Sequence, residues 1–282
     1  LTVDPPLSEA KMQQRDQDTL VEIYQELQFK KWLAELGETP NAESSVPAES
    51  FTKGEYEIVF TQADLDKWVA RLRESSGFAF DTETTSLSAQ QADLVGVSFA
   101  CEQGQAAYVP VGHRYMGAPE QLDLKLVLAA LKPLLEDPRL PKIGQNLKYD
   151  MSVLANYGVE INGGVFDTML ESYVLDSVGS RHDMDSLSLI HLGHQPVAFS
   201  EVAGKGKAQL TFDQVDIAQG GHYAAEDADI TLRLNHRLMP VLIQSPRLHR
   251  VYTEIEMPLV KVLSTIEDNG VMIDDAMLLQ QS

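Results

Sequence analysis

The sequence contains one cysteine, Cys101, so it has neither a disulfide framework nor a thiolate zinc site, and a reducing cytoplasm suits it best. It also lacks any run approaching about 18 apolar residues, and its start lacks the basic-then-apolar pattern of a signal peptide. Membrane-spanning and exported proteins are therefore disfavoured.

Basic residues are scarce too, because 22 Lys and Arg face 42 Asp and Glu, which gives a formal net charge of −20. A nucleic-acid-binding protein usually presents a basic patch, so this balance argues against one. It does not exclude an enzyme that holds metal ions on clustered carboxylates, since such a site needs acid at its centre. The apolar share of 44% is typical of a globular protein with a core.

The 282 residues can form one large domain or two smaller ones. Residues 20–33 have apolar side chains at helical spacing but no core of their own, and residues 37–50 are polar and unpatterned, which is typical of a flexible linker. The sequence stops at Ser282 inside a helical pattern. These features predict a piece of a longer polypeptide.

Between these ends the pattern predicts an α/β fold, a central mixed sheet with helices on both sides. Three strands with short connections indicate an antiparallel meander, at 77–83, 94–100 and 107–111. Two further short strands are predicted at 56–60 and 142–145, and a last one at 271–273. Helices are predicted at 62–74, 122–136, 147–157, 167–176, 185–193, 214–243 and 247–268.

The most informative stretch is the first strand of the meander. Because side chains alternate along a strand, Phe78 and Phe80 face one way, whereas Ala79, Asp81 and Glu83 face the other. Two carboxylates on one face of an apolar strand need a balancing cation, and no basic residue lies nearby in sequence. Oxygen ligands without Cys or clustered His indicate Mg²⁺ or Mn²⁺. The alternative interpretation is an ordinary turn or helix cap.

Two later stretches offer further ligands. Asp150 lies where a short strand passes into a helix, a place where ligands often meet a sheet, although it is also suited to a first helical turn. Tyr223 and Asp227 are four residues apart and so share one helix face. Small residues between them, including Ala224 and Ala228, allow close approach to the sheet. The alternative is a solvated acidic helix.

In this order the motifs resemble the DEDD superfamily of 3′–5′ exonucleases, in the branch that has tyrosine in its last motif. The longer stretches 145–150, 166–173, 181–187 and 203–207 resemble the proofreading domain of bacterial DNA polymerase I, of polymerase family A. Residues 51–245 carry this resemblance. Residues 1–50 resemble the linker after that family's 5′-nuclease domain, which is missing here, and residues 246–282 resemble a truncated start of its polymerase domain.

The resemblance implies a ribonuclease H-like fold and two divalent ions, Mg²⁺ with Mn²⁺ or Zn²⁺ as substitutes. By the family pattern Asp81 bridges both ions, and Glu83 and Asp227 complete the tighter site. Asp150 holds the second ion, largely through water. Tyr223 orients the attacking water together with Glu83.

The resemblance also implies substrate contacts. Leu87 and Phe199 are candidate wedges against the terminal bases; the alternatives are a buried loop residue and a core aromatic, respectively. Lys205 and Lys207 lie in a basic Gly-Lys-Gly-Lys loop, which does not match a P-loop. The remaining candidates for contacts with the strand or its phosphates are Thr84, Gln145, Asn146, Tyr149 and Arg181.

Other acids are set aside. Asp183 and Asp185 imitate a metal-binding pair, but the sequence predicts that Asp185 is a helix N-cap. Glu226 and Asp229 flank Asp227 yet point away from its face at helical spacing.

The predicted function is divalent-metal-dependent hydrolysis at single-stranded or frayed DNA 3′ ends, releasing nucleoside 5′-monophosphates, without polymerase activity. The predicted partner is the polymerase domain of the same polypeptide, and the protein is expected to be a monomer in the bacterial cytoplasm, associated with the nucleoid, and to make no membrane contact. Two alternatives remain open: an RNA-trimming exonuclease like ribonuclease D, and a non-catalytic module that only scaffolds a polymerase.

Overall fold

The computed structural model describes residues 16–26, 29, 32, 33, 36 and 51–281, without the side chains of Gln25, Glu26 and Lys207. The chain divides into two compact units, Leu1–Ala48 and Glu49–Ser282. The predicted linker at 37–50 lies outside the described residues. In the part of the chain that is described, no helix combines the length and apolarity that a membrane span requires.

The first unit is represented by helix α1, Gln17–Glu26, which covers the first part of the helix predicted at 20–33. Tyr24 of this helix and two aromatic rings beyond it contact one another. The ring centroids of Phe29 and Trp32 lie 4.7 Å apart, and those of Tyr24 and Trp32 lie 5.3 Å apart.

The second unit is built on a six-stranded mixed sheet in the order β1-β4-β3-β2-β5-β6. Strands β2, β3 and β4 pair antiparallel and confirm the predicted meander, whereas β1 joins β4, and β5 and β6 join β2, in parallel. The strands are β1 Glu55–Ile58, β2 Phe78–Thr84, β3 Leu94–Glu102, β4 Gln105–Pro110, β5 Lys142–Gly144 and β6 Val165–Asp167.

Helices cover both faces of this sheet, as the predicted α/β class requires. The α-helices of this unit are α2 Gln62–Glu74, α3 Leu124–Leu135, α4 Leu147–Ala155, α5 Thr168–Leu175, α6 Met184–Leu192, α7 Phe199–Ala203, α8 Ile217–Gln244, α9 Pro246–Val251, α10 Met257–Asn269 and α11 Asp275–Gln281. Short 3₁₀ turns lie at Gly206–Ala208 and Phe212–Gln214, and a π-helical turn at Tyr252–Glu256.

Two predicted elements differ from the structure. The strand predicted at 271–273 is wrong: these residues pair with no strand in the described part of the chain, and their apolar side chains are exposed. The single helix predicted at 247–268 is interrupted, because α9 and α10 are joined by the π-helical turn. The three-residue strand β6 was not predicted, since so short a run carries no alternation to recognise.

The two faces of β2 pack against different cores, as its alternation predicts. Phe78 and Phe80 belong to the larger apolar core, which includes Leu65 and Trp68 of α2. Ala79 belongs to the core beneath α8.

Helix α8 lies very close to the sheet. A Cβ at Gly221 would stand 2.9 Å from Ile58 Cδ1 and 3.0 Å from Tyr108 Cδ1, so a side chain there would require these neighbours to shift. Ala224, Ala225 and Ala228 on the same helix are completely buried. The small residues of α8 therefore allow its polar side chains to reach the end of β2.

Candidate active site

Strand β2 presents Asp81 and Glu83 on the face that α8 covers. In the antiparallel register with β3, Asp81 lies opposite Ser98 and Glu83 opposite Gly96. A Cβ at Gly96 would clash with the Tyr108 side chain, so glycine leaves room for this buried ring beside Glu83. The two acids are thus fixed on the most central part of the sheet.

Helix α4 brings Asp150 to the same strand. Its buried carboxylate accepts hydrogen bonds from both the backbone N–H and the hydroxyl of Thr82, at 3.0 and 2.5 Å. Thr82 lies between Asp81 and Glu83, so α4 is connected directly to the acidic part of β2.

Helix α8 supplies Tyr223 and Asp227. Asp227 is buried and Tyr223 is half-buried. The neighbouring acids are occupied elsewhere, as predicted: Glu226 accepts from the Val197 N–H at 3.0 Å, and Asp229 accepts from the Gly104 N–H at 2.8 Å.

The four carboxyl groups affect one another strongly. Burial raises the pKa of Asp81 from 3.8 to about 7, a shift that the Thr82 N–H partly offsets. Burial, followed by the charge of Asp81, raises the pKa values of Glu83, Asp150 and Asp227 well above their ordinary range. The charge of Asp81 therefore contributes to the raised pKa of each of the other three carboxyl groups.

Tyr223 stays neutral in this environment. The charge of Asp227, then burial, then the charges of Glu83 and Asp81 raise the pKa of its hydroxyl far above the ordinary value. In this metal-free environment Tyr223 is consequently a neutral hydrogen-bond donor at neutral pH.

A divalent cation fits the chemistry of this donor set. Among the described residues none of the ion pairs includes any of the four carboxylates, so their mutual repulsion is not compensated. The donors are carboxylate oxygens, which Mg²⁺ and Mn²⁺ prefer. In their present positions, no three His, Cys, Asp or Glu side chains within the described ranges form a group that could hold a metal ion. Binding would therefore require these carboxylates to draw together.

The candidate wedges differ in their surroundings. Leu87 is 99% exposed, which removes the alternative of a buried loop residue. Phe199 is 37% exposed, so it is not a core aromatic, and its ring lies 6.1 Å from that of Tyr223. Phe199 is thus close to Tyr223 and partly accessible.

The candidate contacts around the start of α4 are held by internal hydrogen bonds. Tyr149 and Thr84 bond to each other through their hydroxyls, and the Tyr149 hydroxyl also donates to the Ser86 carbonyl. The Gln145 amide donates to the His182 carbonyl at 2.9 Å. Asn146 is exposed and has a left-handed backbone, with φ 60°.

The basic candidates lie on the surface. The Arg181 side chain is 88% exposed and pairs with Asp183 at 3.1 Å. Lys205 is exposed, between Gly204 and Gly206, both of which have positive φ. The backbone of Lys207 lies in a 3₁₀ turn, and its side chain is outside the described residues.

The predicted cap of α6 needs correction. Asp183, not Asp185, is the N-cap, because its carboxylate accepts from the Ser186 N–H at 2.8 Å. The helix starts one residue earlier than predicted, which places Asp185 in its first turn. Asp185 still raises the pKa of Asp227 slightly through its charge.

Sequence reasoning missed two residues that support the site. Thr82 donates two hydrogen bonds to Asp150, and Asp167 caps α5 while bonding to the start of α4. The motif stretch 166–173 included Asp167 but gave it no role.

Comparisons with known proteins agree on a family. Residues 56–243 match the family described as 3′-5′ exonuclease. The chain is 54% identical over 274 residues to DNA polymerase I of Pseudomonas aeruginosa, covering 94% of this chain and 30% of that protein. It therefore spans less than a third of the length of this relative.

Solved structures share the fold at low sequence identity. The POL domain of Pol1 from M. smegmatis, in complex with DNA primer-template and dNTP, matches with a TM-score of 0.62 at 21% identity, covering 79% of this chain and 34% of that one. Escherichia coli RNase D, an exoribonuclease, matches at 0.54 and 18%, covering 75% and 51%. Brucella melitensis NrnC with bound Mg²⁺ matches at 0.52 and 21%, covering 76% and 91%. These likenesses establish the ribonuclease H-like fold.

Proposed function

Because this chain belongs to the 3′–5′ exonuclease family of bacterial DNA polymerase I, we propose that it hydrolyses the terminal phosphodiester of single-stranded or frayed DNA 3′ ends with divalent ions. The products are nucleoside 5′-monophosphates. The observation that carries this proposal is the group of four carboxyl groups, Asp81 and Glu83 on β2, Asp150 on α4 and Asp227 on α8. Burial raises the pKa values of all four, the charge of Asp81 raises those of the other three further, and none of them forms an ion pair among the described residues.

We assign the four acids to two ions, Mg²⁺ in the cell with Mn²⁺ or Zn²⁺ as substitutes. Such ions, when bound, lower the pKa of water and stabilise negative charge on the phosphate and the leaving oxygen. By the family pattern Asp81 would contact both, and its charge also raises the pKa of each of the other three carboxyl groups. Glu83 and Asp227 would complete the tighter site. Asp150, which Thr82 orients, would bind the second ion.

The chain's own groups would then position the nucleophile. The neutral Tyr223 hydroxyl donates a hydrogen bond, and the Glu83 carboxylate accepts one, so together they can orient a water molecule for in-line attack. Tyr223 does not need to take the proton, which agrees with its raised pKa.

The surface around the carboxylates suits a frayed strand of any sequence. Leu87 and Phe199 offer apolar contact to the terminal bases, and stacking of this kind is tolerant of sequence. Arg181 is a planar donor that suits a phosphate. We assign the remaining contacts with the DNA strand to Thr84, Gln145, Asn146, Tyr149, Lys205 and Lys207.

The proposal extends to the longer polypeptide. We place a linker that follows a 5′-nuclease domain at 1–50, the exonuclease domain at 51–245 and the start of a polymerase domain at 246–282. The polymerase domain of the same polypeptide would then be the partner that delivers mismatched primer ends. We expect a cytoplasmic, nucleoid-associated monomer that makes no membrane contact, and no polymerase activity from these residues.

An oligonucleotide assay tests the function. The chain is incubated with a single-stranded DNA labelled at its 5′ end, with Mg²⁺ or with EDTA, alongside an RNA of the same sequence. We expect Mg²⁺-dependent shortening from the 3′ end, faster on DNA than on RNA. Faster shortening of RNA would favour the ribonuclease alternative.

Two variants complete the assay. Asp150→Ala should abolish shortening while circular dichroism shows an intact fold. Asp123→Ala is the matched control, because Asp123 is the N-cap of α3 and has no hydrogen bond to a candidate site residue among those described. No shortening by the unmodified chain would favour a non-catalytic module, and full activity of Asp150→Ala would contradict the assignment of the site.

A further inference from the structure

One buried carboxylate outside the proposed metal site connects two helix starts. Asp167, at the end of β6, accepts hydrogen bonds from the N–H groups of Asn146 at 3.1 Å, Leu147 at 2.8 Å and Met169 at 2.9 Å. Parallel pairing of β5 with β6 puts it there, because Asp167 is in register with Gly144. The carboxylate therefore caps α5 and the start of α4 at once.

Helix α4 depends on this carboxylate because it lacks a cap of its own. Its N-cap residue, Asn146, has a left-handed backbone (φ 60°, ψ 42°) and makes no side-chain capping bond. Asparagine adopts this conformation more readily than most residues, so the backbone at Asn146 turns into α4 without a capping side chain of its own. The bonds from the Asn146 and Leu147 N–H groups to Asp167 supply the missing cap.

The position of Asp150 follows from this arrangement. Asp150 lies one turn beyond Leu147, so any shift or fraying of the first turn of α4 moves its carboxylate relative to Thr82 and β2. Asn146, a proposed substrate contact, would move with it. Asp167 itself is fixed, because its own N–H donates to the Tyr252 hydroxyl at 2.9 Å in the π-helical turn.

We propose that Asp167 is a positioning residue for the 3′–5′ exonuclease site. It touches neither substrate nor ions and acts by setting the first turn of α4, which carries Asn146 and Asp150. This inference rests on the proposed function. It goes beyond that function by assigning a role to a residue outside the proposed metal ligands and substrate contacts.

Two substitutions distinguish the proposed positioning role of Asp167 from an ordinary role as the N-cap of α5. Asp167→Asn replaces one accepting oxygen with a donating amide, which cannot accept from the N–H groups that now meet both oxygens. Asp167→Ser keeps a good N-cap for α5 but is too short to reach α4 as well. Asp123→Asn is the matched control, since it makes the same change at the N-cap of α3.

For both Asp167 variants we expect kcat/KM on single-stranded DNA to fall about 10- to 100-fold, the usual cost of removing a group that orients a ligand. Calorimetric affinity for Mn²⁺ should fall over the same range. Amide exchange at Leu147 should become about tenfold faster, whereas exchange in α5 stays unchanged in Asp167→Ser. The control should keep all three values.

The outcomes distinguish this inference from the function. If either folded Asp167 variant keeps the wild-type kcat/KM, Mn²⁺ affinity and Leu147 exchange, the positioning role is wrong and the exonuclease proposal stands. If the unmodified chain shows no exonuclease activity, the function fails. Mn²⁺ affinity and Leu147 exchange then still decide whether Asp167 sets the start of α4.

Discussion

Thr82 and Asp150, 68 residues apart in sequence, share two hydrogen bonds: the Asp150 carboxylate accepts from the Thr82 N–H at 3.0 Å and from its hydroxyl at 2.5 Å. Thr82 points to the opposite face of β2 from Asp81 and Glu83. The strand therefore presents two acids directly and orients a third from its other side.

Removing the hydroxyl of this pair should weaken the site without unfolding the chain. In Thr82→Val the Asp150 carboxylate keeps only the backbone donor, so we expect kcat/KM to fall about tenfold, since a hydrogen bond to a charged group is worth about 1.5–3 kcal/mol. Single-turnover assays at several Mg²⁺ concentrations measure the effect. An unchanged rate and an unchanged Mg²⁺ requirement would show that the hydroxyl does not orient Asp150.

A second buried threonine gives the opposite expectation. The Thr231 hydroxyl on α8 is buried and has no hydrogen-bond partner among the described residues. Thr231→Val should therefore leave activity unchanged and keep or raise the free energy of unfolding, because no bond is lost. Urea denaturation measures this, and a loss above about 1 kcal/mol would contradict it.

The pH dependence of stability follows from the raised carboxyl pKa values. In the metal-free folded state Asp81 titrates at about 7 instead of 3.8, so between these values the folded state binds more protons than the unfolded state. Stability is therefore highest at low pH within this window and falls as pH rises through about 7. Mg²⁺ should raise the Tm more at pH 8 than at pH 5, as measured by calorimetry. An equal rise at both pH values would contradict this prediction.

Neutralising one of the four acids should abolish activity and raise the thermal stability of the metal-free chain. In Asp227→Asn a buried charge next to Asp81 is removed, so the metal-free Tm at pH 8 should increase by about 2–4 °C for each kcal/mol gained, while exonuclease activity is lost. Asp123→Asn, at an exposed cap, should change neither. A lower Tm in Asp227→Asn would mean that the carboxylate stabilises the fold.

Leu87 should contribute to substrate binding alone. Because its side chain is 99% exposed, Leu87→Ala should leave the Tm unchanged but raise KM for single-stranded DNA about fivefold, corresponding to about 1 kcal/mol of lost base contact. Met116→Ala, also fully exposed, is the control. Equal KM values in both variants would remove Leu87 from the proposed binding surface.

The sequence predicts those parts of the site whose residues follow the regular spacing of a strand or a helix. Strand alternation places Asp81 and Glu83 on one face, and helical spacing with small residues brings Tyr223 and Asp227 to the sheet. The bonds from Thr82 to Asp150 and from α4 to Asp167 join distant segments and leave no periodic trace. The same limit explains β6, whose three residues are too few to alternate, and the π-helical turn that divides the predicted last helix.

The close packing of α8 against the sheet at Gly221 also affects the site. A methyl group there would meet Ile58 at 2.9 Å and Tyr108 at 3.0 Å, so it would push these side chains or the helix itself outward. Tyr223 and Asp227 follow within two turns of the same helix. A substitution at Gly221 would therefore disturb the packing of the helix that carries two of the proposed site residues, although Gly221 itself has no chemical role.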